Sequence, residues 1–166
     1  MAKMMSPNTT IWWVPLIGIV NYLAPKVTEL NAGSNISAAI VTGFTLAATD
    51  SDTDDSKTIV DEGNVATPTF GNYEANLSFF RDATGDAATV FSTAAALFTA
   101  GRVEGWLVSR HGYKSTVAPA VGHIVSVFRV MSDYHHDVEG DGGAPIQVEV
   151  PFRPQGQMQL NVALVA

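Results

Sequence analysis

The chain has 166 residues, no cysteine, a formal net charge of −7 at neutral pH and a sequence pI near 4.8. Such a charge balance excludes a conventional nucleic-acid binder, which needs an excess of Lys and Arg to displace counterions from phosphate, and the missing thiols exclude disulfide scaffolds, thiol nucleophiles and thiolate metal sites. Its length suits one domain with a proper core, while 46% hydrophobic and 15% charged residues are more apolar than a soluble monomer needs and point to contacts between subunits.

The stretch from Thr10 to Leu16 is β-branched and aromatic, and Pro15 restricts it to a sheet edge or a strand end. The apolar run Ile11 to Val20 is too short to span a bilayer and lacks the cleavage pattern of a secretory leader, so it reads as a strand. Pro25 to Leu30 predicts a short helical turn ended by Asn31 and Gly33. Ser34 to Phe44 predicts a strand with a bend at Gly43.

An acidic loop follows, in which Asp50, Asp52, Asp54, Asp55, Asp61 and Glu62 surround Lys57 and carry −5 of the net charge. Thr58 to Val60 is the expected start of a return strand, and a long strand is predicted from Thr69 to Arg81. There Tyr73, Ala75, Leu77 and Phe79 alternate with Asn72, Glu74, Asn76 and Ser78, which predicts one buried and one wetted face.

Asp86 is the expected N-cap of the one strong helix, about 86–100, with Val90, Phe91, Ala94, Leu97 and Phe98 on its apolar stripe and Gly101 as its stop. Val103 to Arg110 and Gly122 to Tyr134 form a strand pair, Asp137 to Gly143 a turn, and Ile146, Val148, Val150 and Phe152 the inward face of another strand. Pro154-Gln155-Gly156 is expected to turn the chain into a final strand, Gln157 to Val165. The total is about eight strands and one packed helix, a mainly β protein.

No catalytic arrangement emerges. Asp50, Asp52, Asp54 and Asp61 stand at four ligand positions of a calcium loop, but Asp55 replaces the glycine of its sharp turn and Lys57 adds a positive charge. His135 and His136 are neighbours and point to opposite faces of a strand, so they cannot share an ion there. Neither a nucleophile elbow, a phosphate loop nor a dinucleotide fingerprint occurs. The expectation is no enzyme, no metal and no cofactor.

Trp13-Val14-Pro15, the run Ala24 to Gly33, the segment Ile40-Val41-Thr42-Gly43-Phe44 and the closing Leu160 to Ala166 together resemble the major tail tube proteins of long-tailed bacteriophages, especially the short single-domain type from phages of actinobacteria. The chain departs from that pattern at Leu16 to Tyr22, apolar where a more polar link is expected. The resemblance implies a β-sandwich or rolled barrel, a single domain over 1–166 with an N-terminal arm over about 1–33 and the acidic loop over about 47–58. It implies a virion protein, assembled in the host cytoplasm, whose hexameric rings stack into a tube that conducts double-stranded DNA during ejection. Its implied partners are further copies and the tail terminator, tape measure and distal tail proteins, with no membrane.

Within that frame Asp50, Asp52, Asp54, Asp55 and Lys57 are candidates for bridging rings. Asn72, Glu74, Asn76 and Ser78, with Asp61 and Glu62, are candidates for lining the lumen. The alternatives are another ring-forming virion protein, such as a terminator or head-tail connector, and a monomeric β-sandwich binding module.

Overall fold

The computed structural model describes residues 8–60, 63–64, 66–82, 89–139, 142 and 144–166. In chain order its elements are β1 (Thr9–Pro15), α1 (Val27–Ala32), β2 (Ser34–Asn35), β3 (Thr45–Thr49), β4 (Thr53–Asp54), β5 (Thr67–Pro68), β6 (Asn72–Phe80), α2 (Val90–Ala96), β7 (Glu104–His111), β8 (Ile124–Ser132), β9 (His136–Val138) and β10 (Gln147–Ala163). Eight strands form one antiparallel sheet in the order β2-β1-β7-β8-β10-β6-β3, with β9 also paired to β10, and β4-β5 make a separate two-stranded ribbon. The chain is mainly β, as its alternating pattern implies.

The sheet curls around one core. Trp13 and Ile11 from β1, Leu107 from β7, Phe128 and Val130 from β8, Val148, Val150 and Phe152 from β10, and Tyr73, Ala75, Leu77 and Phe79 from β6 all bury the same side chains together. Residues 36–41 tie the two ends of the sheet, since Ile36 N–H donates to Ile11 O at 3.0 Å and Val41 N–H donates to Ser78 O at 2.8 Å. Helix α2 closes the opening by placing Phe98, just past its end, edge-on to Trp13 (4.9 Å) and Phe152 (5.2 Å) and stacked on Phe79 (5.7 Å).

A second core lies on the reverse face. Trp12, Val14, Trp106, Val108, Val125 and Val127 point away from Phe98 and are covered by Ile19, Leu30 and Leu164. Both faces of β1 are therefore buried, which explains its continuous apolar run. Pro15 is the last residue of β1, where its missing N–H costs the ladder nothing. Helix α1 matches the predicted helical turn, and the Glu29 carboxylate accepts from the N–H of Lys26 at 2.8 Å to cap its start.

Several expectations are corrected. The strand predicted over Ser34 to Phe44 is broken after Asn35, because Asn35 Oδ1 accepts from both Ser37 N and Ser37 Oγ, and Ser37 Oγ accepts from Ile11 N. These side-chain bonds satisfy the backbone locally and replace a ladder. Helix α2 is shorter than 86–100: Thr89 is its N-cap, accepting from Ser92 N at 3.3 Å, and Asp86 lies outside the described residues. Val90 is exposed and does not join the apolar stripe. The return strand expected at Thr58 to Val60 is instead β5, at Thr67–Pro68.

Asp137 and Val138, expected at the start of a turn, pair with β10 as part of β9. Ile146 lies outside β10 and is exposed. The turn expected at Pro154-Gln155-Gly156 is a bulge inside a single 17-residue strand, β10. Gly156 absorbs the irregularity at φ +74, a region costly for other residues. The Tyr73 hydroxyl holds the bulge, accepting from Gln155 N at 2.8 Å while donating to Arg129 O. Among the described residues, no helix is long and apolar enough to cross a membrane.

Candidate assembly surfaces

The reverse face of the sheet divides into two halves. Over β1, β7, part of β8 and the end of β10 at Val162 it is the second core under α1; over the first part of β10, β6 and β3 it is polar. Register places Asn72, Glu74, Asn76 and Ser78 opposite Thr49, Ala47, Thr45 and Glu149 respectively, so the four predicted lumen residues share one face with these neighbours. Asp61 and Glu62, predicted beside them, lie outside the described residues.

Sequence reasoning missed the rest of this platform. Glu149 accepts from Asn76 Nδ2 at 2.7 Å and pairs with His136 Nε2 at 3.2 Å. Arg129 bridges Glu104 (2.6 Å) and Gln157 (2.8 Å), and Arg153 pairs with Asp133 at 3.0 Å. The alternation of Gln147 and Glu149 with Val148 and Val150 was the available signal for β10. His136, Arg129 and Glu104 reach the same face only through strand pairing. The platform is thus a hydrogen-bonded mixture of both signs rather than a purely acidic surface.

The bond from Asn76, helped by the nearby His136, holds the Glu149 carboxyl below its ordinary range. A carboxyl with a depressed folded-state pKa stabilises the fold above the unfolded value of 4.5, and that contribution disappears as pH falls through the folded value. Glu149→Gln is therefore expected to be less stable than the wild type near neutral pH and to converge with it as the pH falls from the unfolded value of 4.5 through the lower folded one. Urea midpoints measured across that range check the convergence.

The acidic segment prolongs the β3-β6 hairpin. Thr49 pairs with Asn72 at the end of the sheet. Beyond it Asp52 N–H donates to Phe70 O at 3.0 Å, Thr69 N–H donates to Asp52 O at 2.7 Å, and Thr53 and Asp54 pair with Pro68 and Thr67. Ala47–Thr49, counted above in the acidic loop, belong to β3.

Asn72 Nδ2 clamps the base of this extension, donating to Asp52 Oδ1 at 2.9 Å and to Asp50 O at 3.2 Å. The Ser56 hydroxyl and then its backbone N–H, which donates to Asp54 at 2.9 Å, lower the Asp54 pKa, and Lys57 donates to Asn64. Asp50, Asp52, Asp54, Asp55 and Lys57 are all exposed, together with Ile59, Val60 and Phe70. The three apolar side chains accompany the charges and were not singled out from the sequence. Among the described residues no group of three or more His, Asp or Glu is placed to hold a metal ion.

Arg110 is fully buried on the second-core side. Its guanidinium lies over Trp12 (4.9 Å) and Tyr113 (5.1 Å) and donates to the carbonyls of Ala118 (3.2 Å), Lys114 (3.3 Å) and Val117 (2.6 Å). Burial lowers its pKa. It also donates to His123 Nδ1 at 3.1 Å, which accepts from Ala120 N at 3.2 Å. Both partners only donate, so the proton of the neutral ring sits on Nε2. His123 thus sits against a structural cation, whereas His111 meets the Thr9 hydroxyl through its Nδ1 at 3.1 Å.

A family model for phage tail tube proteins matches residues 1–166. The fold is similar to that of the SPP1 tail tube solved by solid-state NMR and cryo-EM, with TM-score 0.62 and 8% identity over 98% of this chain and 81% of that one. It is also similar to a chain in the cryo-EM structure of the anti-feeding prophage baseplate, with TM-score 0.54 and 12% identity over 98% and 97% of the two chains. No curated protein sequence matches it. With the whole chain matched, the protein belongs to the phage tail tube protein family, a structural family and not one of enzymes.

Proposed function

We propose that copies of this chain close into hexameric rings that stack into a tube and conduct double-stranded DNA during ejection. The observation that carries the reading is the polar platform bounded by two one-sided strands. Among the described residues β3 pairs only with β6 and β9 only with β10. Adding β3 of one copy to β9 of the next would remove both open edges, which otherwise invite uncontrolled aggregation.

Four strands from each of six copies give a ~24-stranded barrel. Spacing of ~4.8 Å and a tilt of ~40° set its diameter near ~48 Å, leaving a bore wider than a DNA duplex once side chains are subtracted. Asn72, Glu74, Asn76 and Ser78 would line that bore, with Asp61 and Glu62 proposed alongside them. The few charges of such a bore, offset by cationic Arg129 and Arg153 on the same platform, would repel phosphate only within the screening distance of about 8 Å. DNA would slide without being gripped.

Asp50, Asp52, Asp54, Asp55 and Lys57 on the projecting hairpin would reach the next ring. Contacts around a ring are heterologous and closed, and those between rings propagate. The tube would end on tail terminator and distal tail proteins and hold a tape measure protein, with assembly in the host cytoplasm. Negative-stain microscopy of the purified protein is expected to show open-ended tubes. Closed single rings would point to a terminator or connector, and particles that stay monomeric at high concentration to a binding module.

A further inference from the structure

The segment between β1 and α1 is a rigid, apolar knob. A 3-10 turn at Leu16–Gly18 follows β1, and Ile17 and Val20 are 92% and 89% exposed, with Leu23 half-exposed beside them. Mobile chain would fold such side chains away, but here the backbone is pinned. Trp106 Nε1 donates to Leu16 O at 3.0 Å, Glu29 Oε1 accepts from Val20 N at 3.0 Å, and Tyr22 stacks on Trp106 at 5.6 Å. Ile19 is buried beneath, and a Cβ at Gly18 would stand 2.6 Å from the Val14 side chain, so the turn lies flat on the second core. Preorganised apolar side chains lose little entropy on docking.

The other end of β1 carries the matching hollow. A groove of about 200 Å³ is lined by apolar Ile11, Ile40, Val41 and Phe44 and, in equal number, by the hydroxyl residues Thr9, Ser37, Thr42 and Ser115. The seven residues of β1 separate knob from groove by ~20 Å. One chain therefore presents a projection at one end and a receptor at the other, the arrangement a heterologous, self-propagating contact requires.

We infer that Ile17 and Val20 of one copy insert into the Ile40–Phe44 groove of the next, a head-to-tail contact separate from the acidic hairpin. The inference rests on the tube reading, and the occupant follows from it: membership of a tail tube family makes a second copy the partner that every subunit meets. It also gives a purpose to the apolar segment Leu16 to Tyr22, where a polar link was expected.

The absence of cysteine allows a direct test. Ile17→Cys with Thr42→Cys places two thiols at opposite ends of β1, too far apart to bridge within one copy. Mild oxidation of the assembled protein is expected to produce a ladder of covalent oligomers that neither single variant gives. Ile17→Asp with Val20→Asp, at positions already in water, is expected to keep the wild-type thermal transition and circular dichroism while reducing tube yield at least tenfold. Tubes that assemble at wild-type yield from the double aspartate variant, together with no ladder from the cysteine pair, overturn the knob-and-groove contact and leave the tube reading standing. A wild-type protein that forms no assemblies overturns both.

Discussion

Replacing Phe98 by alanine is expected to lower the unfolding free energy by about 3–5 kcal/mol, the largest effect of any single substitution considered. Phe98 is fully buried and meets Trp13, Phe79 and Phe152, which come from three different strands. Removing the ring leaves a cavity at the point where the curled sheet closes. The surrounding side chains are held by the sheet on both sides and cannot collapse into the space, so the cost falls near the upper end of the range for a buried aromatic. Urea denaturation followed by tryptophan fluorescence checks it, and Phe98→Leu, which refills most of the volume, should recover a large part of the loss. A loss below about 1 kcal/mol would mean that α2 is not part of the closed core.

Arg110→Met is expected to cost about 3 kcal/mol and to release residues 112–123. Methionine keeps much of the aliphatic volume between Trp12 and Tyr113 but donates nothing, leaving the carbonyls of Lys114, Val117 and Ala118 without their shared partner. Because those carbonyls lie on a surface segment, part of the cost will be relieved by the loop turning toward water. Amide exchange should therefore rise sharply over residues 112–123 while β7 and β8 stay protected, a pattern that separates loss of the latch from general unfolding. Arg110→Lys should behave nearly as badly, since a single ammonium cannot span the three acceptors. The same loop supplies Ser115 to the groove proposed to receive Ile17, so a released loop should also weaken assembly.

Local rules governed what the chain alone made legible. Alternation in residues 72–80 placed Tyr73, Ala75, Leu77 and Phe79 inward and Asn72, Glu74, Asn76 and Ser78 outward, because strand side chains have a strict period of two. Pro15 ending β1, Gly33 ending α1 and the apolar positions Ala94 and Phe98 are equally local consequences of backbone geometry. The ordered set of short segments carried the family resemblance, and the family match over the whole chain agrees with it.

What failed was decided by partners remote in sequence. The break after Asn35 depends on Ser37 meeting Ile11, and the bulge at Gly156 depends on the Tyr73 hydroxyl reaching Gln155 across 82 positions. The acidic segment reads from composition as a self-repelling loop. Only pairing of Asp52 with Thr69 and Phe70 turns its base into a hairpin.

Sequence by itself determined a mainly β chain, the face of β6 that turns from the core, the absence of thiol chemistry and the charge of the 50–62 segment, because each follows from residue type and short-range spacing. Tertiary structure alone decided that Glu149, Arg129 and His136 join that face, that Arg110 is buried as a latch, and that the apolar link after β1 stands out as a rigid knob. Those outcomes depend on strand register and on which surfaces the two cores consume, quantities set by contacts between residues tens of positions apart.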